Sequence, residues 1–215
     1  MPQAASMNSV TSHGAPLNPG PGCLTVRIGF LAAWRALPSG MASAVEGLSS
    51  AMDSFMKRPQ MTPADATASL VEISARLVAG GAAAAAHGAP AATATAASSS
   101  AALNATNATL AATWATASVV PGGQPAANIA YTEGIKAAAA AAASAVFSAM
   151  AGISDMHVCP LPCPIPPHGP GFVTQGSGTV NIGHLPAARQ NDGVFEACGG
   201  TDPIALGCPT VNIGG

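Results

Sequence analysis

One alternating pattern occurs three times in the chain. It reads Thr25-Val26-Arg27-Ile28-Gly29, Thr179-Val180-Asn181-Ile182-Gly183 and Thr210-Val211-Asn212-Ile213-Gly214. Period two puts Val and Ile on one face of a short strand and Thr with Arg or Asn on the other. No such strand buries its apolar face alone, so the three are expected to pack about a common axis. The expected core is Val26, Val180 and Val211 over Ile28, Ile182 and Ile213. Between the first and second copies the period changes to three and four. Met41, Val45, Leu48, Met52 and Phe55 form one helical stripe, which Lys57 and Arg58 suit at its C-terminus and Pro59 stops. A second helix opens with Thr62 as N-cap and Pro63 at its first position, carries Leu70, Ile73 and Leu77, and is expected to close on Gly80-Gly81. Residues 82–98 are of low complexity and read as a loose link or weak helix. A third helix precedes Pro121-Gly122-Gly123, and a fourth, over about 128–152, carries an alanine run.

Composition divides the chain the same way. Residues 1–37 and 155–215 are rich in Pro and Gly with short β runs, and 38–154 are rich in Ala, Ser and Thr. The expected class is therefore α+β: a β-rich unit split by a long helical insertion, 38–154. Only 7% of residues are charged, the net charge is −2 and aromatics are 4%. Neither a basic nucleic-acid surface nor a platform for stacking bases is implied. No secretory leader is visible. The alanine run at 137–153 is short of a strongly apolar membrane span and reads as a buried bundle helix.

The repeat extends upstream of each strand. His13 lies twelve residues before Thr25, His168 eleven before Thr179 and Cys198 twelve before Thr210, and each is followed by Gly. Three strands around an axis would bring these side chains together at one end. His157 opens the second β-rich zone and completes a set of three His and one Cys, the tetrahedral donor set of a structural Zn²⁺. Cys159, two residues on, is the rival of His157, with Cys163 behind it. Cys23 and Cys208 read as packing residues. His184, beyond its strand, and His87, in the Ala-rich link, have no metal role. One structural zinc per chain would add on the order of 10 kcal/mol to the folding of a small, loop-heavy β unit.

The stretch "PHGPGFVTQGSGTVNIGHLPAAR", with Pro186-Ala187-Ala188-Arg189, resembles the PAAR-repeat proteins, and "DMHVCP" and "GCPTVNIGG" fit the same family. The resemblance covers 155–215 well and about 9–37 weakly. The first copy departs from it, with Ala32-Ala33-Trp34-Arg35 where Pro-Ala-Ala-Arg is expected. The resemblance implies a small three-sided β-prism, conical, with zinc near its apex held by three His and one Cys: here His13, His157, His168 and Cys198. It implies a tip that caps the trimeric (VgrG-like) spike of a contractile injection system such as type VI secretion. Such a tip would be assembled in the bacterial cytoplasm and ejected, touching the target membrane transiently. The insertion would carry an effector or chaperone. No enzyme is expected, because the insertion has no HExxH, P-loop or nucleophile elbow. The competing expectation is a delivered effector whose helical insertion acts on membranes or a partner.

Overall fold

A computed structural model describes residues 1–162 and 167–214; Cys163 and Gly215 lie outside the described residues. The chain begins with five short strands: β1 (Gln3–Ala4), β2 (Val10–Thr11), β3 (Pro19–Gly20), β4 (Cys23–Ile28) and β5 (Leu31–Ala33). Four helices follow: α1 (Ser39–Met56), α2 (Pro63–Ala86), α3 (Ala91–Ser118) and α4 (Gln124–Ala149). The chain then returns to strands with β6 (Met156–Pro162), β7 (Pro167–Val173), β8 (Asn181–Ile182), β9 (Leu185–Pro186), β10 (Gly193–Glu196), β11 (Thr201–Leu206) and β12 (Cys208–Asn212). The class is α+β.

Each repeat copy forms a two-stranded ribbon: β4 with β5, β8 with β9, and β12 with β1. In the first two, the two-residue turns Gly29-Phe30 and Gly183-His184 hold both residues at positive φ, the hairpin turn whose twist matches paired strands. The third ribbon borrows its second strand from the start of the chain, and Ile213 donates its N–H to Pro2 O. Met1–Ser6 thus supplies the return segment of the last ribbon.

The three return segments meet in a closed ring of backbone hydrogen bonds. Ala5 N–H donates to Ala188 O (2.9 Å), Ala188 N–H to Trp34 O (3.0 Å) and Trp34 N–H to Ala5 O (3.0 Å). The same threefold pattern recurs two residues on, where Met7 donates to Ala32, Ala36 to Pro186 and Gln190 to Gln3. The next residue after each ring member is capped by a side chain: Ser6 N–H by Ser9 Oγ, Arg35 N–H by Asp155 and Arg189 N–H by Asp192. Beyond the caps each repeat enters a hairpin, Ser9–Leu17, Asp155–Val173 or Asp192–Ile204. Their last residues take equivalent bonds from Asn8, Leu37 and Asn191.

Ala5, Trp34 and Ala188 are buried with Leu17, Val173 and Ile204, one apolar residue from each hairpin. A threefold axis has room for one large side chain, and Trp34 is that residue. Ile28, Ile182 and Ile213 share a second cluster with Ala4, Ala33 and Ala187, as the alternation predicts. The valines divide: Val26 and Val180 are exposed, while Val211 is half-buried and packs against this cluster. In the first ribbon the cause is a slip of register between Cys23 and Arg27, which interrupts the period-two alternation; β1–β12 slips similarly.

The hairpins join in one six-stranded sheet, ordered β2-β11-β10-β7-β6-β3. A flat sheet would hold its edges about 24 Å apart. Val10 bridges Pro16, and Pro19 pairs with His157, so about 11 Å of extended chain and one further strand spacing span the gap between the edges. The sheet must curl. It forms an unclosed half-barrel, and its ladders do not by themselves close into a three-sided prism.

The four helices leave and re-enter the β unit between Leu37 and Asp155. Asp155, 0% exposed in its side chain, closes this root by accepting from Arg35 N–H, Nε and Nη2 and from Gly22 N–H. In α2, Thr62 and Asp65 form a capping box. The expected stop at Gly80-Gly81 is replaced by helix, because alanine is the best helix former. Over 82–98, read as a loose link or weak helix, α2 runs on to Ala86, residues 87–90 turn, and α3 begins at Ala91. Gly81 instead serves packing: a Cβ there would meet Ala96 Cβ at 2.5 Å and Ala92 O at 2.7 Å, so α2 and α3 touch through it. The alanine run packs inside α4, with Ala139, Ala140 and Ala143 buried beside Val146 and Phe147. Among the described residues, one helix, α2, is long and apolar enough to cross a membrane, and its outer face exposes Val71 and Val78.

Two tests probe this arrangement. Trp34→Ala should cost about 3–5 kcal/mol by denaturant titration, from the cavity it opens on the axis. Trp34→Phe should cost far less, because the buried indole N–H has no hydrogen-bond partner to lose. Joining Leu37 directly to Asp155 restores between Arg35 and Asp155 the spacing of Arg189 and Asp192. That shortened chain should still unfold in one cooperative thermal transition; a molten product would show the bundle to be part of the β core.

Candidate metal centre

The three hairpins bring their chemistry to one place. His13 sits at the tip of the first, where Thr11 N–H donates to Ala15 O and Gly14 turns at φ +79°. His157 and Cys159 lie two apart on β6 and so on one face, with His168 on the paired β7. Glu196 and Asp202 come from β10 and β11. Gly171 pairs with His157 on one side and Glu196 on the other, and a Cβ there would press on Phe195 O at 2.9 Å. The missing side chain lets the donors approach.

Among the described residues, two overlapping groups have ligand atoms within 4.8 Å of one another: His13, Cys159, His168 and Glu196, and His157, Cys159, Glu196 and Asp202. The three histidines expected from the sequence are divided between the groups, His13 and His168 in one and His157 in the other, with Cys159 and Glu196 common to both. The cysteine among them is Cys159 rather than Cys198. Cys198 is buried in the turn between β10 and β11, in the apolar cluster of the helical bundle, and its N–H donates to His168 O. That turn faces α1: a Cβ on Gly199 would strike the Asp53 backbone at 2.3 Å, and Ser49 Oγ donates to Gly200 O. His184 lies in a ribbon turn, away from the hairpin tips.

The hydrogen bonds define what each donor offers. His157 Nδ1 lies 3.0 Å from Pro16 O; a carbonyl only accepts, so Nδ1 carries the proton and the Nε2 lone pair is free. That Nε2 is buried without a hydrogen-bond partner. His168 Nδ1 contacts Glu196 Oε2, and the His13 and His168 rings meet edge-on with centroids 4.9 Å apart. Cys159 Sγ lies 3.7 Å from His13 Nδ1. Asp202 Oδ1 accepts from Ser12 Oγ (2.7 Å) and from His13 N–H (2.9 Å), which pins the first tip, while Oδ2 faces His13 Nδ1 at 3.2 Å.

Three buried polar atoms here lack hydrogen-bond partners: His157 Nε2, Glu196 Oε1 and Asp202 Oδ2. Each such atom costs about 1–3 kcal/mol, more when charged. All three carry lone pairs; a cation in the cluster would satisfy His157 Nε2 and Glu196 Oε1, while Asp202 Oδ2 faces the His13 ring. The imidazole, thiolate and carboxylate set suits a borderline divalent ion, and the residues fit a structural metal site.

Glu196 and Asp202 are absent from the sequence-derived donors. The signal was available: acids are scarce in this chain, and these two stand inside β runs, in "GVFEACG" and "TDPIAL".

Burial pushes the Glu196 carboxyl up to about 8 and the Cys159 thiol up to about 12, and pulls His157 and His168 below the ordinary imidazole range. A carboxyl raised on folding contributes stability below its unfolded value and loses it as pH rises through its folded value. From about pH 7 upward these two histidines are mostly neutral in the unfolded chain as well, so the Glu196 slope dominates. Metal-free protein should therefore lose thermal stability from about pH 7 to 8. Metal-loaded protein should not, because the ion holds the carboxylate ionised. Parallel slopes by differential scanning calorimetry would contradict the assignment. No protein-family model matches the chain, and no curated protein or solved structure matches it.

Proposed function

We propose that this chain is the metal-stapled tip of a contractile injection apparatus, a three-sided β cone that caps a trimeric spike. One observation carries the reading: the closed ring of hydrogen bonds through Ala5, Trp34 and Ala188, which gives a single chain three equivalent ribbons. A threefold partner presents three equivalent edges, and a chain with matching pseudo-symmetry engages all of them. In every repeat the chain runs from ribbon, through ring, to hairpin, so the ribbons and the donor cluster lie on opposite sides of the ring. The ribbon side exposes Leu24, Val26, Phe30, Leu31 and Val180, an apolar set suited to a spike end. On the other side one zinc ion, held by His13, His157, His168 and Cys159, would tie three hairpin ends where no apolar core exists. The metal supplies rigidity at small radius, and the protein residues supply the donors and their orientation.

The helical insertion is the place for an effector or chaperone. The outer face of α2 favours a second reading in which the bundle itself is delivered and meets a membrane.

The decisive test pairs metal analysis with spike binding. Purified protein should contain about one zinc per chain and bind the cognate spike trimer at one chain per trimer. Phe30→Asp should weaken that binding at least tenfold with an unchanged thermal midpoint. A chain that ignores the trimer is not a spike tip.

A further inference from the structure

We propose that Glu196 is itself a metal ligand, so that the centre is a mixed nitrogen, sulfur and oxygen site with five protein donors. This rests on the metal-centre reading above and changes its coordination. Glu196 belongs to both donor groups, as Cys159 does, and so stands between His13 with His168 on one side and His157 with Asp202 on the other. It is 0% exposed, and its Oε1 has no hydrogen-bond partner. The rings beside it are imidazoles: His168 at Oε2, and His13 at 3.8 Å from Oε1.

The two carboxylates differ in a way that separates their roles. Asp202 has a structural task, since its Oδ1 holds Ser12 Oγ and the His13 N–H and fixes the first hairpin tip. Glu196 has no comparable tie to a loop. A glutamine would fill the same space and bond His168 without the cost of burying an acid that no cation compensates. Charge is thus what Glu196 adds. A dication with the Cys159 thiolate alone would leave one buried positive charge; with Glu196 the ion and its two anionic ligands are neutral. The hydroxyl and amide donors on Asp202 stabilise its charge separately. An oxygen donor added to three imidazoles and a thiolate favours a borderline first-row divalent ion that accepts more than four ligands.

The test uses the full chain, stripped of metal and titrated with Co²⁺. Wild-type protein should develop a thiolate-to-cobalt charge-transfer band with the weak d–d bands of a centre having more than four donors. Glu196→Gln should keep the charge-transfer band, intensify the d–d bands toward the four-coordinate pattern and lower cobalt affinity at least tenfold. Asp202→Asn should retain the wild-type d–d envelope. A Glu196→Gln protein whose spectrum is unchanged and whose affinity lies within twofold of wild type overturns the assignment. X-ray absorption on cobalt-loaded wild type reads the same point without a variant: one sulfur with at least four nitrogen or oxygen donors is expected, and one sulfur with three overturns it. Failure of wild type to take up cobalt overturns the metal-centre reading itself, and this inference with it.

Discussion

Three amide N–H groups, each given to the carbonyl of the next segment, hold this protein's β unit together. The ring through Ala5, Trp34 and Ala188 joins residues far apart in sequence, and it closes only when all three segments arrive. Around it the side chains are constrained by space. Two alanines and one tryptophan satisfy an axis that three large residues would overfill and three alanines would leave hollow. The first copy's departure from Pro-Ala-Ala-Arg is thereby explained: Trp34 carries the volume that the other two positions cannot. Leu17, Val173 and Ile204 then close the space above it, one from each hairpin.

The charged residues follow the same symmetry. Arg35 with Asp155 and Arg189 with Asp192 occupy equivalent places, each carboxylate capping a backbone N–H as well as pairing a guanidinium. The third place uses Ser6 and Ser9, a neutral version of the same cap. In one repeat the arginine and its acid are three residues apart; in another, four helices intervene. The insertion is tolerated because its two ends are bound to each other by Asp155, so the β unit meets the same local geometry either way.

Where sequence reading succeeded, it relied on patterns with a short physical period. The Thr-Val-x-Ile-Gly strands, the Thr62 cap and the stripe from Met41 to Phe55 are of this kind. It failed where distance along the chain stood in for distance in space. Counting back from each strand singled out Cys198, on the assumption that the hairpins were alike. They differ in length, and the turn carrying Cys198 is drawn to α1 while Cys159 shares a strand face with His157. The return strand Gln3-Ala4 was missed for another reason. Only Ala4-Ala5 survives there of the repeat, and the segment precedes the copy it completes. The alanine-rich stretch over 82–98 reads as a loose link or weak helix because alanine repeats carry no apolar period, whereas its small side chains allow the close approach of α2 and α3.

The hairpin ends pose a stability problem that the rest of the molecule solves in two ways. Beyond Leu17, Val173 and Ile204 the inward residues are His, Cys, Glu and Asp, so burial of apolar surface cannot order the tips. From within, donors and a cation can. From the side, the bundle does: Phe172, Ala197 and Cys198 are buried against α1 and α4, and Gly199 is flush with the backbone of Asp53. The two solutions meet at one turn. Ala197 and Cys198 lie directly after Glu196, and the Cys198 N–H holds the carbonyl of His168. The helical insertion is therefore no pendant on the β unit. It buttresses the strand pair that presents Glu196 and His168, and the position of α1 is felt at the donors through a single turn of chain.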